Sequence, residues 1–222
     1  MKAEDQTSGY YPLFLDLAGK RCLVVGGGEV ARRKVMMLLE YGGSVEVISP
    51  ELCPELAALA NSGQVTATRR QYRNDDLKNA SLAIAATGHT EVNRQVAAEA
   101  RRQKVLVNVV DDPEISDFIV PSYLRRGDIT VAVSTSGKSP ALARKIRTRL
   151  ETDLGKEYAA LADLIAEVRA EVKRQKIKVD SDGWQEALDL DSLTGLLRAG
   201  QRDKARDIML SRLTGLAQPT VR

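Results

Sequence analysis

The stretch Arg21-Cys-Leu-Val-Val-Gly26-Gly27-Gly28-Glu29-Val30-Ala31 passes from an apolar run of β type directly into a glycine turn that opens a helical pattern. Gly26, Gly28 and Ala31 fit G-x-G-x-x-G/A, in which the first glycine permits a tight turn and the second lets backbone approach a pyrophosphate. The small third residue brings helix and strand together. The N-terminus of the helix then offers unpaired N–H groups and a partial positive charge to a diphosphate. Three consecutive glycines also suit a ligand-free strand-to-helix turn, so context decides. Val30, Lys34, Met37, Leu38 and Tyr41 recur at helical spacing, Gly42-Gly43 ends that pattern, and Ser44–Ile48 is a second β-like run. Strand, turn, helix and strand fit one βαβ unit, which favours a dinucleotide over an empty turn.

An acidic residue about 20 positions after such a turn usually takes the ribose hydroxyls of NAD. Here the second strand ends at Ser49-Pro50-Glu51, with Ser49 in the expected slot and Glu51 slightly late. No arginine stands at that strand tip to receive the 2′-phosphate of NADP, although Arg69 and Arg70 lie further on. NAD is the expected cofactor.

Outward from this unit the alternation continues: a helix near 51–61, strands at 64–68 and 81–86, a helix over 90–103 and a strand over 104–110. Apolar strands joined by amphipathic crossovers imply an α/β fold, a Rossmann-like doubly wound parallel sheet covered on both faces. A further strand at 128–133 leads through Ser134-Thr-Ser-Gly-Lys-Ser-Pro140 into a basic helix over 141–150. That strand is expected to pair with the main sheet or with a second chain. Beyond 151 the pattern is helical, with Tyr158, Leu161, Leu164, Ile165 and Val168 on one stripe and 180–183 as the clearest loop. Three parts are expected: a sheet domain at 1–113, a connecting dimerisation segment at 114–150 and a small all-helical domain at 151–222.

With 43% hydrophobic residues, the 222-residue chain can bury a full core. No run approaches the ~20 apolar residues that cross a bilayer, and the amino-terminal stretch lacks a signal-like apolar segment, so neither membrane nor export is expected and the cytoplasm is the default. A net charge of +3 and few aromatics argue against nucleic-acid binding. Cys22 and Cys53 lack CxxC spacing and read as small core residues, and with a single histidine no metal site is expected. His89, after the run Leu82-Ala-Ile-Ala-Ala-Thr87, reads as a solvated loop residue rather than a catalytic one. Lys138, Arg144, Lys145, Arg147 and Arg149 follow one another without an intervening acid; they face an anionic partner or form a solvated helix face.

Taken together, Tyr11-Pro-Leu-Phe-Leu-Asp-Leu17, Val25-Gly-Gly-Gly-Glu-Val-Ala-Arg-Arg-Lys34, Leu82–Thr87, Val107-Asn-Val-Val-Asp111, Phe118-Ile-Val-Pro-Ser122 and Val133-Ser-Thr-Ser-Gly-Lys-Ser-Pro-Ala-Leu-Ala143 resemble the precorrin-2 dehydrogenase family, the siroheme-synthase module that oxidises precorrin-2 to sirohydrochlorin with NAD. The resemblance implies a homodimer built through the segment after the sheet domain. It also implies that Glu29, Val30, Pro50 and Glu51 surround the cofactor, and that Asp111 is the catalytic carboxylate. Thr87 joins Gly26 and Gly28 as an expected cofactor contact. Some members of the family also insert Fe²⁺. Trifunctional bacterial members carry Ser-Ser-Gly-Gly where this chain has Ser134-Thr135-Ser136-Gly137, which keeps a hydroxyl at the second position. No methyltransferase region is expected, so another protein is expected to supply precorrin-2.

The residues support these roles on their own terms. Asp111 follows a strand at the carboxyl edge of the sheet, where ligands of such folds bind, and a carboxylate raised by burial suits proton removal. Asp111-Asp112-Pro113 is equally good turn chemistry, and Asp112 or Asp117 suits a helix cap. Ser134, Thr135, Ser136, Lys138, Ser139 and Arg144 place hydroxyls and cations at a helix N-terminus, an arrangement that suits a polycarboxylate. A dehydrogenase, a bifunctional dehydrogenase and ferrochelatase, and a dinucleotide-sensing regulatory module are the competing readings. The regulatory module requires neither Asp111 nor the hydroxyl loop.

Overall fold

The computed structural model describes residues 9–216, which fall into two compact units dividing after Val120. The first unit holds β1 (Arg21–Val25), α1 (Glu29–Glu40), β2 (Ser44–Ile48), α2 (Pro54–Asn61), β3 (Thr66–Thr68), β4 (Leu82–Ala85), α3 (Thr90–Gln103) and β5 (Leu106–Val109). All five strands are parallel, in the order β3-β2-β1-β4-β5. The Rossmann-like sheet expected from the alternation is therefore present.

Alternate residues of the central strand feed two cores. Leu23 and Val25 pack with Val96, Ala97 and Ala100 of α3, while Cys22 and Val24 pack with Ala31, Val35 and Leu38 of α1 and with Leu56 of α2. Burial on both faces explains why β1 and β4 read as unbroken apolar runs. Arg21 enters β1 by a bidentate pairing with Glu46 of β2, at 2.6 and 2.9 Å.

The free edge of β5 is covered by residues 116–118 rather than left open. The Asp117 carboxylate accepts from Val107 N–H (3.0 Å), the Ser116 hydroxyl accepts from Val109 N–H (2.9 Å), and the Asn108 amide donates to the Phe118 carbonyl (2.9 Å). Asp117 thus caps a strand edge, not a helix. The helix expected from residue 51 begins only at Pro54, because 51–53 cross the glycine turn, where Cys53 N–H donates to the Gly27 carbonyl (2.7 Å).

In the second unit, β6 (Ser122–Arg126) and β7 (Ile129–Val133) form an antiparallel hairpin. The expectation that the strand near 128–133 pairs with the main sheet or with a second chain is corrected: its partner is the preceding segment of the same chain. That strand was hidden because only Leu124 of Ser122–Arg126 is buried and two of its five residues are arginines. The helices α4 (Pro140–Asp153), α5 (Glu157–Arg174), α6 (Ser181–Ala187), α7 (Leu190–Arg198) and α8 (Arg202–Gly215) follow. Leu161, Leu164, Val168 and Val172 of α5 pack on Leu193, Ala205, Met209 and Leu213. The loop expected at 180–183 is instead the start of α6, since the Asp180 carboxylate accepts from Gly183 N–H (2.8 Å) as an N-cap. No helix among the described residues is long and apolar enough to cross a membrane.

Candidate dinucleotide cleft

The order of the strands reverses between β1 and β4, and a cleft of about 1160 Å³ opens at their carboxyl ends. This is the position at which open α/β sheets bind ligands, and the volume exceeds the roughly 300–1,000 Å³ of a drug-sized pocket. Gly26, Gly28, Glu29, Val30, Pro50, Glu51 and Thr87 all line it, as does Asp111. The fold therefore brings together the eight residues expected of a cofactor site and its catalytic carboxylate.

The three glycines serve different ends. Gly26 has φ +129°, and a methyl group on it would overlap the Ala86 carbonyl oxygen, so the turn is pressed against the end of β4. Gly27 is equally constrained, since a Cβ would overlap the Glu51 carbonyl oxygen and stand 2.7 Å from Ser49 Oγ. The motif leaves that central position free, and sequence reasoning missed it. Gly28, by contrast, has no protein atom within 4 Å of where a Cβ would stand. The fold does not require glycine there; the space is open to a ligand. Gly28 is also the N-cap of α1 and supplies no side chain to its first N–H groups, so a diphosphate fits the turn.

Thr87 is held from below. Its N–H (3.2 Å) and hydroxyl (2.7 Å) donate to Asn93 Oδ1, and the Asn93 amide donates back to its carbonyl (3.1 Å). Asn93 is 8% exposed and lies on the stripe Asn93, Val96, Ala97, Ala100 of α3. A polar residue on that apolar stripe was the signal that could have found it. Arg70 is committed to Asp76 by contacts of 2.5 and 2.8 Å, and so is not free for a 2′-phosphate.

Asp111 is exposed, because it stands past the end of β5 where the sheet opens. It adopts φ +61° in a turn closed by Asp112 N–H donating to the Val109 carbonyl (3.2 Å), so turn chemistry and cleft position coexist in one residue. Cys22 is fully buried, but Cys53 is only partly so and lines the cleft. It lies near Glu29 and Glu55, the one group of three possible metal ligands among the described residues. Two of the three are exposed, and Glu29 is paired with Arg32 at 2.9 Å. His89 is exposed at the cleft rim.

Residues 13–122 match a family described as putative NAD(P)-binding, and residues 126–152 match one described as sirohaem biosynthesis protein central. The chain belongs to the siroheme synthase N-terminal module family. The siroheme synthase of Nitrosococcus oceani is 40% identical over 208 residues, covering 93% of this chain and 44% of that protein. That of Chromobacterium violaceum is 46% identical over 172 residues, or 78% of this chain and 37% of that protein. The chain thus spans less than half the length of these curated relatives. A solved structure, SirC, precorrin-2 dehydrogenase, superposes with a TM-score of 0.69 at 26% identity, covering 93% of this chain and all of that one.

The family's central region falls on the hairpin and α4 of the second unit. Here Ser134, Thr135, Ser136, Lys138 and Ser139 form the loop between β7 and α4, and Arg144 lies on that helix. The loop is built from its own hydroxyls. Ser134 Oγ accepts from Ser136 N–H (3.0 Å), Thr135 Oγ1 from Ser139 N–H (3.0 Å), and Ser139 Oγ from Leu142 N–H (3.2 Å) as the cap of α4. Each oxygen is thereby engaged, while each hydroxyl proton remains able to donate. Ser136 has φ +51° and Gly137 +82°, so the loop turns through two left-handed residues. Arg144 and Lys145 are exposed, but Arg147 is paired with Glu151 one turn on, which removes it from the expected attraction for an anion.

Proposed function

We propose that the chain is an NAD-dependent dehydrogenase that oxidises precorrin-2 to sirohydrochlorin, acting in the cytoplasm as a homodimer. The observation that carries this reading is the cleft itself, where an open diphosphate turn and the Asp111 carboxylate share one space at the reversal of strand order. When bound, NAD supplies the hydride acceptor. Gly26, Gly28, Glu29 and Val30 hold the diphosphate end, Pro50 and Glu51 the ribose at the tip of β2, and Thr87 closes the cleft from β4. The oxidation removes one hydride and one proton from the tetrapyrrole, and Asp111 takes the proton at its carboxylate oxygen. Ser134, Thr135, Ser136, Lys138, Ser139 and Arg144 donate to the substrate's carboxylates. The segment 114–150 joins sheet and helical domains and contributes the dimer contact. Support for a second copy is the exposed apolar stretch Tyr11 (84%), Leu13 (62%) and Phe14 (77%), a surface that a lone chain leaves in water.

Anaerobic incubation with precorrin-2 and NAD, followed by Fe²⁺, tests the reading. Sirohydrochlorin and NADH are expected in equal amounts, and a metallated spectrum only on iron addition would mark the bifunctional enzyme. Asp111→Asn should keep NAD affinity and lose on the order of 10²–10⁴ in turnover. Near-normal oxidation by that variant rules out an essential base. NAD binding with no oxidation by the wild type would favour the regulatory module.

A further inference from the structure

The tip of β2 lacks the acid that usually holds the ribose hydroxyls of NAD and repels the 2′-phosphate of NADP. Ser49 stands in that slot, 8% exposed, with its Oγ 2.7 Å from where a Cβ on Gly27 would stand. It carries no charge to oppose a phosphate, and its hydroxyl can donate to one. Glu51 is exposed two positions further on, and what packs against the glycine turn is its backbone carbonyl.

The neighbouring strand brings a cation to the same place. β3 runs beside β2 in parallel register, with Ile48 paired to Thr68. One residue beyond, Ser49 N–H donates to the Thr68 carbonyl (3.2 Å), and the same carbonyl accepts from Arg70 N–H (3.1 Å). A carbonyl bonded to the amide two residues on closes a γ-turn, which puts Arg69 at the apex of a sharp bend, about one strand spacing from the tip of β2. Distant in sequence, Arg69 stands beside Ser49 in space. The bend lies at the rim of the cleft, since Ser49 and Pro50 before it and Gln71 and Tyr72 after it all line that space. Arg21 is taken up by Glu46 and Arg70 by Asp76. Arg69 is exposed and, among the described residues, makes no hydrogen bond or ion pair.

We propose that Arg69 is the seat of a 2′-phosphate, so that the cleft accepts NADP as well as NAD. This rests on the reading of the cleft as a dinucleotide site. A guanidinium presents paired N–H groups that match two phosphate oxygens, and the Ser49 hydroxyl adds a donor from the adjoining strand. With no acid in the slot, the repulsive element by which such a site rejects a 2′-phosphate is missing. Both dinucleotides accept the same hydride, so the oxidation is unchanged and only the range of oxidants widens.

The test is calorimetry with adenosine 2′,5′-bisphosphate and with AMP, probes that differ by the 2′-phosphate alone and require no turnover. The wild type should bind the bisphosphate at least as tightly as AMP. Arg69→Gln should weaken the bisphosphate and NADP about tenfold, the loss of a hydrogen-bonded charge, and leave AMP and NAD within about twofold. Arg69→Lys, which keeps the charge without the fork, should fall between. Arg69 is exposed, so these variants leave the core intact. In anaerobic turnover, Arg69→Gln should raise the KM for NADP and not that for NAD. Wild-type protein that binds AMP but not the bisphosphate overturns the proposal and spares the dinucleotide reading, as does an equal weakening of both probes in Arg69→Gln. If neither probe binds, the dinucleotide reading fails and the proposal with it.

Discussion

The helices of the first unit break their own apolar stripes, and the long helix of the second does not. Lys34 interrupts the core face of α1 and Asn93 that of α3, whereas α5 presents Leu161, Leu164, Val168 and Val172 without interruption. The charges of the second unit stay outside, as in Arg198–Glu157 and the pairing of Arg202 and Arg206 with Glu167. Pairs as open to water as Arg202–Glu167 are worth little, so the helical core rests mainly on apolar packing. In the first unit some packing has been given up for polar groups, of which Asn93 holds Thr87. Polar residues on an otherwise apolar stripe mark the side of the molecule that carries chemistry.

If that distinction holds, substitutions in the first unit should change stability and ligand binding together, and those in the second stability alone. The largest effect is expected from Gly27→Ala. Its methyl group would overlap a backbone oxygen, that of Glu51, which cannot swing aside as a side chain tip does. Moving residues 51–53 breaks the bond from Cys53 N–H to Gly27 and distorts the diphosphate turn. We expect about 3 kcal/mol of destabilisation and loss of measurable NAD binding. Denaturant unfolding and calorimetry on one sample would expose an error: a stable variant with normal affinity means that the turn relaxes freely.

Leu164→Ala tests the other side. Leu164 is fully buried among Val168, Leu193 and Met209, and its truncation should cost about 2–5 kcal/mol through lost burial and the cavity left behind. NAD affinity should stay within twofold of wild type, by the rough additivity of separate sites. A fall in affinity equal to that of Gly27→Ala would erase the distinction between the units.

Much of the first unit was legible in the sequence because its signals are local. An apolar run, a glycine turn and a helical spacing each lie within one short window, and strand ends then place Gly26, Gly28, Thr87 and Asp111 on one edge by topology alone. What escaped was set by contacts distant in sequence. Gly27 is constrained by a carbonyl some two dozen positions later, and Asn93 matters only because α3 packs beneath Thr87. The hairpin escaped for another reason: β6 buries a single side chain, so period-two alternation had nothing to show. Whether Asp111 meets the condition of burial was not legible either, because it depends on how the chain turns outward past that strand end.

Gly28→Asp separates ligand from fold more cleanly than Gly27→Ala. Gly28 has φ −87°, which any residue adopts, and open space where a side chain would stand, so the variant should fold. A carboxylate beside the diphosphate is another matter, since juxtaposed like charges cost several kcal/mol where they are poorly screened. NAD affinity should fall on the order of a hundredfold with the unfolding midpoint unchanged. Full affinity in the folded variant would move the diphosphate away from this turn.

The smallest effect is expected from Asn93→Ala, and it bears most directly on the meaning of a broken stripe. Removing the amide leaves the Thr87 N–H and hydroxyl without their shared acceptor, and the Thr87 carbonyl without its donor. Groups left unsatisfied near a protein interior cost about 1–3 kcal/mol, but Thr87 is only partly buried and water can replace some of what is lost, so a value near 1 kcal/mol is expected. Because Thr87 lines the cleft, NAD affinity should fall severalfold in parallel. Asn93→Asp should be milder at neutral pH, as its carboxylate still accepts both bonds from Thr87 and loses only the donated one. Calorimetry on both variants checks this. If alanine lowers stability and leaves affinity untouched, Asn93 is a structural clamp only, and a polar residue on an apolar stripe ceases to be a marker of the site.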